Sequence, residues 1–233
     1  MLLALAFWQF LATVIHQKIL LVTPVEVLVR LTTIWQEKGF FQSIWFTFYH
    51  IVGGFFLGVL TGCILAGLAN RFSVIETLLW PWVVTIKAVP VASFVVICLI
   101  WLSAKNLSVF ISFLIVFPVI YQNLLTGLRA RSKEMEEMAK VYRLPRHRKF
   151  IYITIPQIRS YLISACSVTA GMAWKAGVAA EIIGTPNGSV GKMLYTAKMY
   201  LDTDDLLAWT VIIVAVSVVS EKLFIFGLRK LLG

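Results

Sequence analysis

Three charged side chains interrupt apolar stretches of this 233-residue sequence and are candidates for contact with a solute: Lys87, Lys175 and Glu181. A charge surrounded by lipid costs about 3 kcal/mol, so such a side chain faces water, a protein partner or a solute. Lys175 and Glu181 lie about 240° apart around a helix of 3.6 residues per turn, so they cannot pair on one face. Two interpretations stay open. Either a neighbouring helix or an interface satisfies each charge, or the three line a path in which Lys87 or Lys175 attracts an anion.

Other patterns that could support catalysis are incomplete. Segment 188–193 resembles a phosphate-binding loop, but Pro186 replaces its first glycine and Met193 its Ser or Thr. This segment is interpreted as an external glycine-rich turn, which excludes an ATP site. Neither a Ser/His/Asp set nor metal-ligand spacing is present, so we expect no enzyme activity, metal or cofactor. Three cysteines lie inside apolar runs and are predicted to be small core residues: Cys63, Cys98 and Cys166.

The composition indicates which solvent surrounds these residues. Hydrophobic residues make up 60% of the chain and charged residues 14%, with a mean hydropathy of +0.88. Soluble domains are about half apolar and about one quarter charged, so lipid must cover much of this surface. The same values exclude a disordered chain, a disulfide scaffold and a nucleic-acid binder, despite a net charge of +10.

Hydropathy predicts an all-α, polytopic membrane protein. Spanning about 30 Å of hydrocarbon takes about 20 helical residues. Five segments are long enough: Ile44–Ala69, Ile75–Leu102, Leu107–Leu128, Pro156–Ile183 and Leu206–Leu228. A shorter stretch, Leu2–Ile15, lacks the basic start of a signal peptide and is predicted to be a first transmembrane helix, which gives about six transmembrane helices in all.

Small residues and prolines within these segments predict their packing. Glycines four residues apart allow two helices to approach closely, as expected along the second span. Proline can kink a span, as expected in the third and fourth. The residues concerned are Gly54, Gly58 and Gly62, and Pro81, Pro90 and Pro118.

The distribution of basic residues predicts the orientation. With the N-terminus inside, about twice as many Lys and Arg residues lie on the cytoplasmic side as on the other. This bias favours cytoplasmic N- and C-termini. Outside, Thr23, Pro24 and Glu26 have the spacing of a helix cap, a first-turn proline and a capping box. They predict a short helix in the outer interface, followed by a polar tail at 36–40.

The long polar segment 129–152 is predicted to form two short helices. Ser132 is a good N-cap, and Pro145 ends the first helix and begins the second. An apolar face recurs at helical spacing: Met135, Met138, Ala139 and Tyr142. Taken alone, the pattern is equally typical of a basic amphipathic segment lying on anionic lipid headgroups.

Spacing within this segment favours a second interpretation. Glu137-Met138-Ala139, then three residues, Arg143, nine residues and Ile153-Thr154-Ile155-Pro156 resembles the EAA loop of binding-protein-dependent ABC importer permeases. That pattern is Glu-Ala-Ala, three residues, Gly, nine residues, Ile, any residue, Leu, Pro. Arg143 replaces the family's Gly, which would turn the chain at little steric cost. Pro145 supplies a different break.

The resemblance extends from Leu21 to the end of the chain, and its segments match the nitrate, sulfonate, taurine and bicarbonate group. Residues 21–24 resemble that group's Leu-Pro-Ser-Pro segment, and residues 87–90 its basic-residue-to-proline stretch. Residues 171–181, Gly-Met-Ala-Trp-Lys-Ala-Gly-Val-Ala-Ala-Glu, resemble its fifth-span signature.

The resemblance implies a type I ABC importer permease fold, with a first helix and an interfacial helix in 1–40. The transmembrane domain would cover 41–228 and contain a coupling loop at 129–155. Implied partners are a cytoplasmic ATPase in two copies, an extracytoplasmic solute-binding protein and a second permease chain, most simply a homodimer. The implied location is the bacterial cytoplasmic membrane, and the implied solute is small and often anionic in related systems. ATPase-coupling residues would be Glu137, Met138, Ala139, Arg143, Pro145, Ile153 and Pro156.

Two other classes remain open from sequence alone. One is a stand-alone secondary transporter or channel driven by an ion gradient, and the other is a scaffold subunit. Dependence on a separate ATPase distinguishes the importer from both.

Overall fold

The computed structural model describes residues 2–15 and 21–231, and every regular element in these ranges is helical. This confirms the all-α prediction. A single 3-10 turn at Ile34–Gln36 and a π-helical segment at Phe150–Thr154 accompany the α-helices. The α-helices are α1 (Leu2–Ile15), α2 (Pro24–Thr33), α3 (Phe40–Arg71), α4 (Ser73–Ala88), α5 (Val91–Cys98), α6 (Ala104–Arg129), α7 (Lys133–Val141), α8 (Arg146–Lys149), α9 (Ile155–Gly184), α10 (Val190–Met199) and α11 (Thr203–Leu231).

Four helical stretches among the described residues are long and apolar enough to cross a membrane: α3, α6, the stretch from α8 through α9, and α11. Helices α4 and α5 together form a fifth if they count as one broken span. The predicted first span corresponds to α1, whose 14 residues extend only about 21 Å. The count of six spans therefore stays a prediction, whereas a multi-pass membrane protein is established.

The third predicted span is not one straight helix. Helices α4 and α5 meet at Val89 and Pro90 with a bend of 105°. Proline has no N–H for the helix ladder and disfavours helical geometry in the residue before it, so the helix ends there. Pro81 and Pro118 lie inside α4 and α6, which continue through them.

Helices α3 and α6 pack in parallel at the centre of the fold. Three glycines of α3 face α6 so closely that an added Cβ would lie under 3 Å from α6 atoms. Their partners occur in the same order along both helices, so α3 and α6 run parallel. The short separations confirm the predicted close approach. The pairs are Gly54 with Val109, Gly58 with Val116 and Gly62 with Ile120.

Helix α9 runs antiparallel to α3 and α6. Ser112, in the first half of α6, donates to the Ala173 carbonyl in the second half of α9 at 3.2 Å. Tyr161, near the start of α9, lies against Gly127, near the end of α6. The chain direction therefore places α7 and α8 at one end of the bundle, here called the loop end. Helix α10 lies at the other, the α10 end.

The α10 end is also where α2 packs. Thr23 accepts a hydrogen bond from the Glu26 amide at 3.2 Å, and the Glu26 carboxylate accepts one from the Thr23 amide at 3.0 Å. This confirms the predicted capping box. Arg30 of α2 pairs with Asp205 at the start of α11 and with Glu37, and these two carboxylates raise the pKa of the arginine. The predicted position of α2 in the membrane interface stays a prediction.

Candidate functional site

Helix α7 at the loop end begins at a side-chain cap. Ser132 accepts a hydrogen bond from the Met135 amide at 3.2 Å and donates to the Glu134 carboxylate at 2.5 Å. The second bond stabilises the charged carboxylate and lowers the pKa of Glu134. Gln157 of α9 accepts from the Ser132 amide at 2.8 Å, so the start of α7 is attached to the spanning helix.

The end of α7 is a left-handed turn at Arg143. Its φ is +48°, a conformation that favours glycine. The Leu144 amide donates to the Ala139 carbonyl and the Arg143 amide to the Lys140 carbonyl, both at 3.0 Å. These two bonds form a Schellman cap, and Pro145 follows it. The turn that the EAA pattern implies is therefore present, with arginine in the position where the family has glycine.

Ion pairs fold the segment back on itself. Glu136 of α7 lies 3.1 Å from the Arg131 guanidinium and 3.9 Å from the Lys149 ammonium. Both pairs are partly exposed, so each contributes at most about 1 kcal/mol. Their joint effect is geometric, because one carboxylate connects the residues before α7 with those of α8.

The structure divides the apolar face predicted for α7. Ala139 is only 3% exposed and packs within the chain, and Ile153 is likewise buried. Met135, Met138 and Tyr142 are exposed, the last at 72%. Ala139 is therefore not available to a partner in the way the periodicity predicted. The other predicted coupling residues are all exposed: Glu137, Arg143, Pro145 and Pro156. Val141, 78% exposed, extends the free apolar surface.

The three intramembrane charges occupy different surroundings. Lys87 of α4 is exposed and donates to the Gln122 side chain of α6 at 2.7 Å. Lys175 of α9 is exposed, and within the described ranges it has no hydrogen-bond or ion-pair partner. Glu181, on the same helix, is 0% exposed. The structure therefore confirms that Lys175 and Glu181 do not pair, and it encloses Glu181 apart from the two lysines.

Glu181 is surrounded by hydroxyl groups that the sequence analysis did not single out. Thr47 of α3 donates to its Oε2 atom at 2.7 Å, and Ser108 of α6 also faces the carboxyl group. Thr47 lies on the α3 face that continues into the glycine row, so its helical spacing to Gly54 was the available signal. Ser43 shares that face one turn earlier and is also buried.

An apolar cavity of about 480 Å³ lies between α3, α9 and α11. Its walls are aromatic and aliphatic, including Phe55, Trp174 and Phe224. Among the described residues that line it, Glu221 is the acidic one, and Ser167 donates to this carboxylate at 3.4 Å.

The segment that resembles a phosphate-binding loop is a helix start. Gly188 has a φ of +76°, and Ser189 caps α10 by accepting from the Lys192 amide at 3.0 Å. The three cysteines are free, two of them buried. Over residues 2–15 and 21–231, His, Cys, Asp and Glu side chains form no group of three that could hold a metal.

Comparison with known proteins gives consistent matches. Residues 58–233 match the family described as binding-protein-dependent transport system inner membrane component. A Bacillus subtilis protein named as an aliphatic sulfonates transport permease, SsuC, is 24% identical over 98% of this chain and 83% of its own length. In Synechococcus elongatus, the nitrate import permease NrtB is 22% identical over 83% of this chain and 72% of its own. The bicarbonate transport system permease CmpB is 20% identical over 83% and 70%.

A solved structure has the same fold. The crystal structure of an amino acid ABC transporter with histidines superposes with a TM-score of 0.61 and covers 87% of this chain and 94% of its own. Sequence identity is 18%, so the likeness concerns the fold alone. The predicted fold class is thereby confirmed.

Proposed function

Because this chain belongs to the family of binding-protein-dependent transport system inner membrane components and is an ABC importer permease subunit, we propose that it forms the path for a small solute. A binding protein delivers the solute, and a separate ATPase drives its passage. ATP hydrolysis belongs to that ATPase, since the one segment resembling a phosphate-binding loop is the start of α10.

Helix α7 carries this proposal. Its apolar side chains Met135, Met138 and Val141, and that of Tyr142 directly after it, are exposed on a segment that is otherwise rich in charge. Exposed apolar side chains next to charged ones are typical of a surface that contacts a partner. The Ser132 cap and the Gln157 contact attach this surface to α9, so a partner that moves α7 also moves a spanning helix.

The orientation and the partners follow from the same end of the bundle. Basic residues concentrate at the loop end, and this bias favours a cytoplasmic position for that end, which we propose for both termini as well. One loop engages one ATPase, so an importer driven by two ATPase copies needs two permease chains. Two copies of this chain are the simplest arrangement, and the bacterial cytoplasmic membrane is the proposed location.

The solute class is proposed from charge. Sulfonates, nitrate and bicarbonate, named in the relatives, are anions. Lys175 presents an exposed ammonium group without a described partner on a spanning helix, and Lys87 presents another that contacts Gln122. A cation exposed within a span is costly unless water or an anion reaches it. Lys175 is therefore the first candidate for lining an anion path.

The experiment tests the exposed side of α7. Met138→Arg places a charge where an apolar partner surface would be buried, so the ATPase should dissociate. Lys140→Gln alters the same helix on another side and is the control. The tagged chain is purified at equal membrane abundance, and the ATP hydrolysis that co-purifies with it is measured. We expect a loss of at least about tenfold for Met138→Arg only.

Two results would contradict the proposal. Equal ATPase recovery with Met138→Arg would make the segment a headgroup-binding element. Absence of any co-purifying ATPase with the unmodified chain, together with uptake driven by an ion gradient, would establish the stand-alone transporter instead.

A further inference from the structure

The Glu181 carboxyl lies where four helices meet. It belongs to the last turn of α9, and its side chain is fully enclosed. Thr47 of α3 and Ser108 of α6, both buried, face it. The first turn of α10 completes the enclosure. A residue that lines a solute path must be reached by water, and this carboxyl is closed off from it.

Hydrogen bonds from α10 converge on this carboxyl by two routes. The Gly191 amide donates directly to Glu181 Oε2 at 3.3 Å. The Val190 amide donates to the Thr47 hydroxyl at 3.0 Å, and that hydroxyl donates to the same oxygen at 2.7 Å. The first amides of any helix lack partners within the helix. Here Thr47 of α3 and Glu181 of α9 accept from the first two amides, so the start of α10 is bonded to two spanning helices.

The backbone of α10 approaches α9 as closely as glycine allows. A Cβ atom added at Gly191 would lie 2.2 Å from Glu181 Cβ and 2.7 Å from the Ile182 amide nitrogen. Backbone atoms on α9 cannot rotate away, so the short separation is a property of the fold. Contact of this kind keeps the Glu181 carboxyl beneath the amides of α10.

The contacts of this carboxyl are hydrogen bonds, with no cation beside it among the described residues. Among the described residues, lysine, arginine and histidine form no ion pair with Glu181. The nearby Lys192 ammonium donates to Asn187 instead. The Thr47 hydroxyl and the Gly191 amide are therefore the groups that stabilise its Oε2 atom, through hydrogen bonds.

We propose that Glu181 is a positioning residue that fixes the start of α10 to α3 and α9 through hydrogen bonds. On the proposed function, α10 lies on the extracytoplasmic side, where its exposed Tyr195 and Met199 face the compartment that supplies solute. Glu181 then sets the position of this delivery-side helix and does not touch solute. Only this last step rests on the proposed function.

Amide hydrogen exchange tests the proposal on the full chain in lipid nanodiscs. Thr47→Val keeps the side-chain shape but leaves the Val190 amide without its acceptor. Exchange in the peptide containing Val190 and Gly191 should accelerate roughly tenfold. Thr61→Val is the matched control on the same helix, since the Thr61 hydroxyl bonds only to carbonyls of α3. It should leave that peptide unchanged.

A second pair of variants separates hydrogen bonding from charge. In Glu181→Gln the amide oxygen can accept from Thr47 and Gly191, so both hydrogen bonds to Oε2 have a replacement acceptor. Glu181→Leu keeps the volume but accepts nothing. Protection should therefore persist in the glutamine variant and be lost in the leucine variant.

The outcomes are decisive in either direction. Unchanged exchange in Thr47→Val would overturn the proposal, and so would equal acceleration in Glu181→Gln and Glu181→Leu, which would make the charge the essential feature. The measurement needs neither ATPase nor solute. Its failure is therefore distinct from failure of the proposed transport function.

Discussion

Replacing Gly54 by alanine should loosen the contact between α3 and α6. The added Cβ would lie 2.2 Å from the Val109 carbonyl oxygen and 2.9 Å from Ser112 Cβ. Ordinary carbon contacts begin near 3.4 Å, so the two helices must separate by about 1 Å or bend. A backbone oxygen cannot rotate out of the way as a side chain can. The variant is therefore expected at the upper part of the range for overpacking, about 2–3 kcal/mol of destabilisation.

The same helix offers a control one residue away. Gly53 has no atom within 4 Å of an added Cβ, so Gly53→Ala meets open space. Alanine is also a better helix former than glycine, by roughly 0.5–1 kcal/mol. Gly53→Ala should therefore leave stability unchanged or raise it slightly. Intermediate losses are expected at Gly58 and Gly62, where the nearest atoms, Val116 Cβ at 2.7 Å and Ile120 Cγ2 at 2.9 Å, leave more room than the Val109 oxygen does at Gly54.

The assay is thermal unfolding of the purified full-length chain in lipid nanodiscs. A loss of 2–3 kcal/mol corresponds to a melting temperature lower by roughly 4–12 °C for a chain of this length. Equal shifts for Gly53→Ala and Gly54→Ala would refute the reasoning, because only contact with α6 distinguishes these positions. A fall in melting temperature that is largest at Gly58 or Gly62 would show that α6 side chains set the separation.

Two further predictions concern charged residues. Arg143→Gly should raise the melting temperature by a few degrees, because the left-handed conformation costs a non-glycine residue about 1–2 kcal/mol. Co-purification of the ATPase should persist in this variant. A lower melting temperature would show that the arginine side chain stabilises the turn. Lys175→Met should lower uptake of an anionic solute while the complex assembles normally, since it removes an exposed ammonium group without a described partner. Loss of assembly would instead show that Lys175 is a structural contact.

Long hydropathy runs predicted the spanning helices well. The predicted bounds of the spans now seen as α3, α6, α9 and α11 agree with the structure to within four residues. Such agreement is expected because the bilayer fixes a minimum apolar length, and the chain provides polar residues only beyond it. Local signals were equally sufficient for α2, whose capping box involves residues three apart in sequence.

Features that depend on distant contacts could not be predicted in the same way. Proline indicated a kink in the third span, but the sequence did not predict a bend as large as the 105° between α4 and α5. Periodicity placed Ala139 on the apolar face of α7, yet it could not show that the chain itself covers that residue. Glu181 was recognised as unusual, but its partner Thr47 lies 134 residues earlier, where only the fold reveals it.

Helix α9 connects the two ends of the bundle. At the loop end Gln157 accepts a hydrogen bond from the Ser132 amide at the start of α7, and at the α10 end Glu181 accepts one from the Gly191 amide in the first turn of α10. These residues are separated by about 36 Å of helix, close to the full thickness of a bilayer. Gly177 of α9 packs closely against Ile51 of α3 and Ser112 of α6, so a shift of α9 would displace these neighbours. A displacement of α7 by a partner would therefore reach α10 through a helix bonded at both ends.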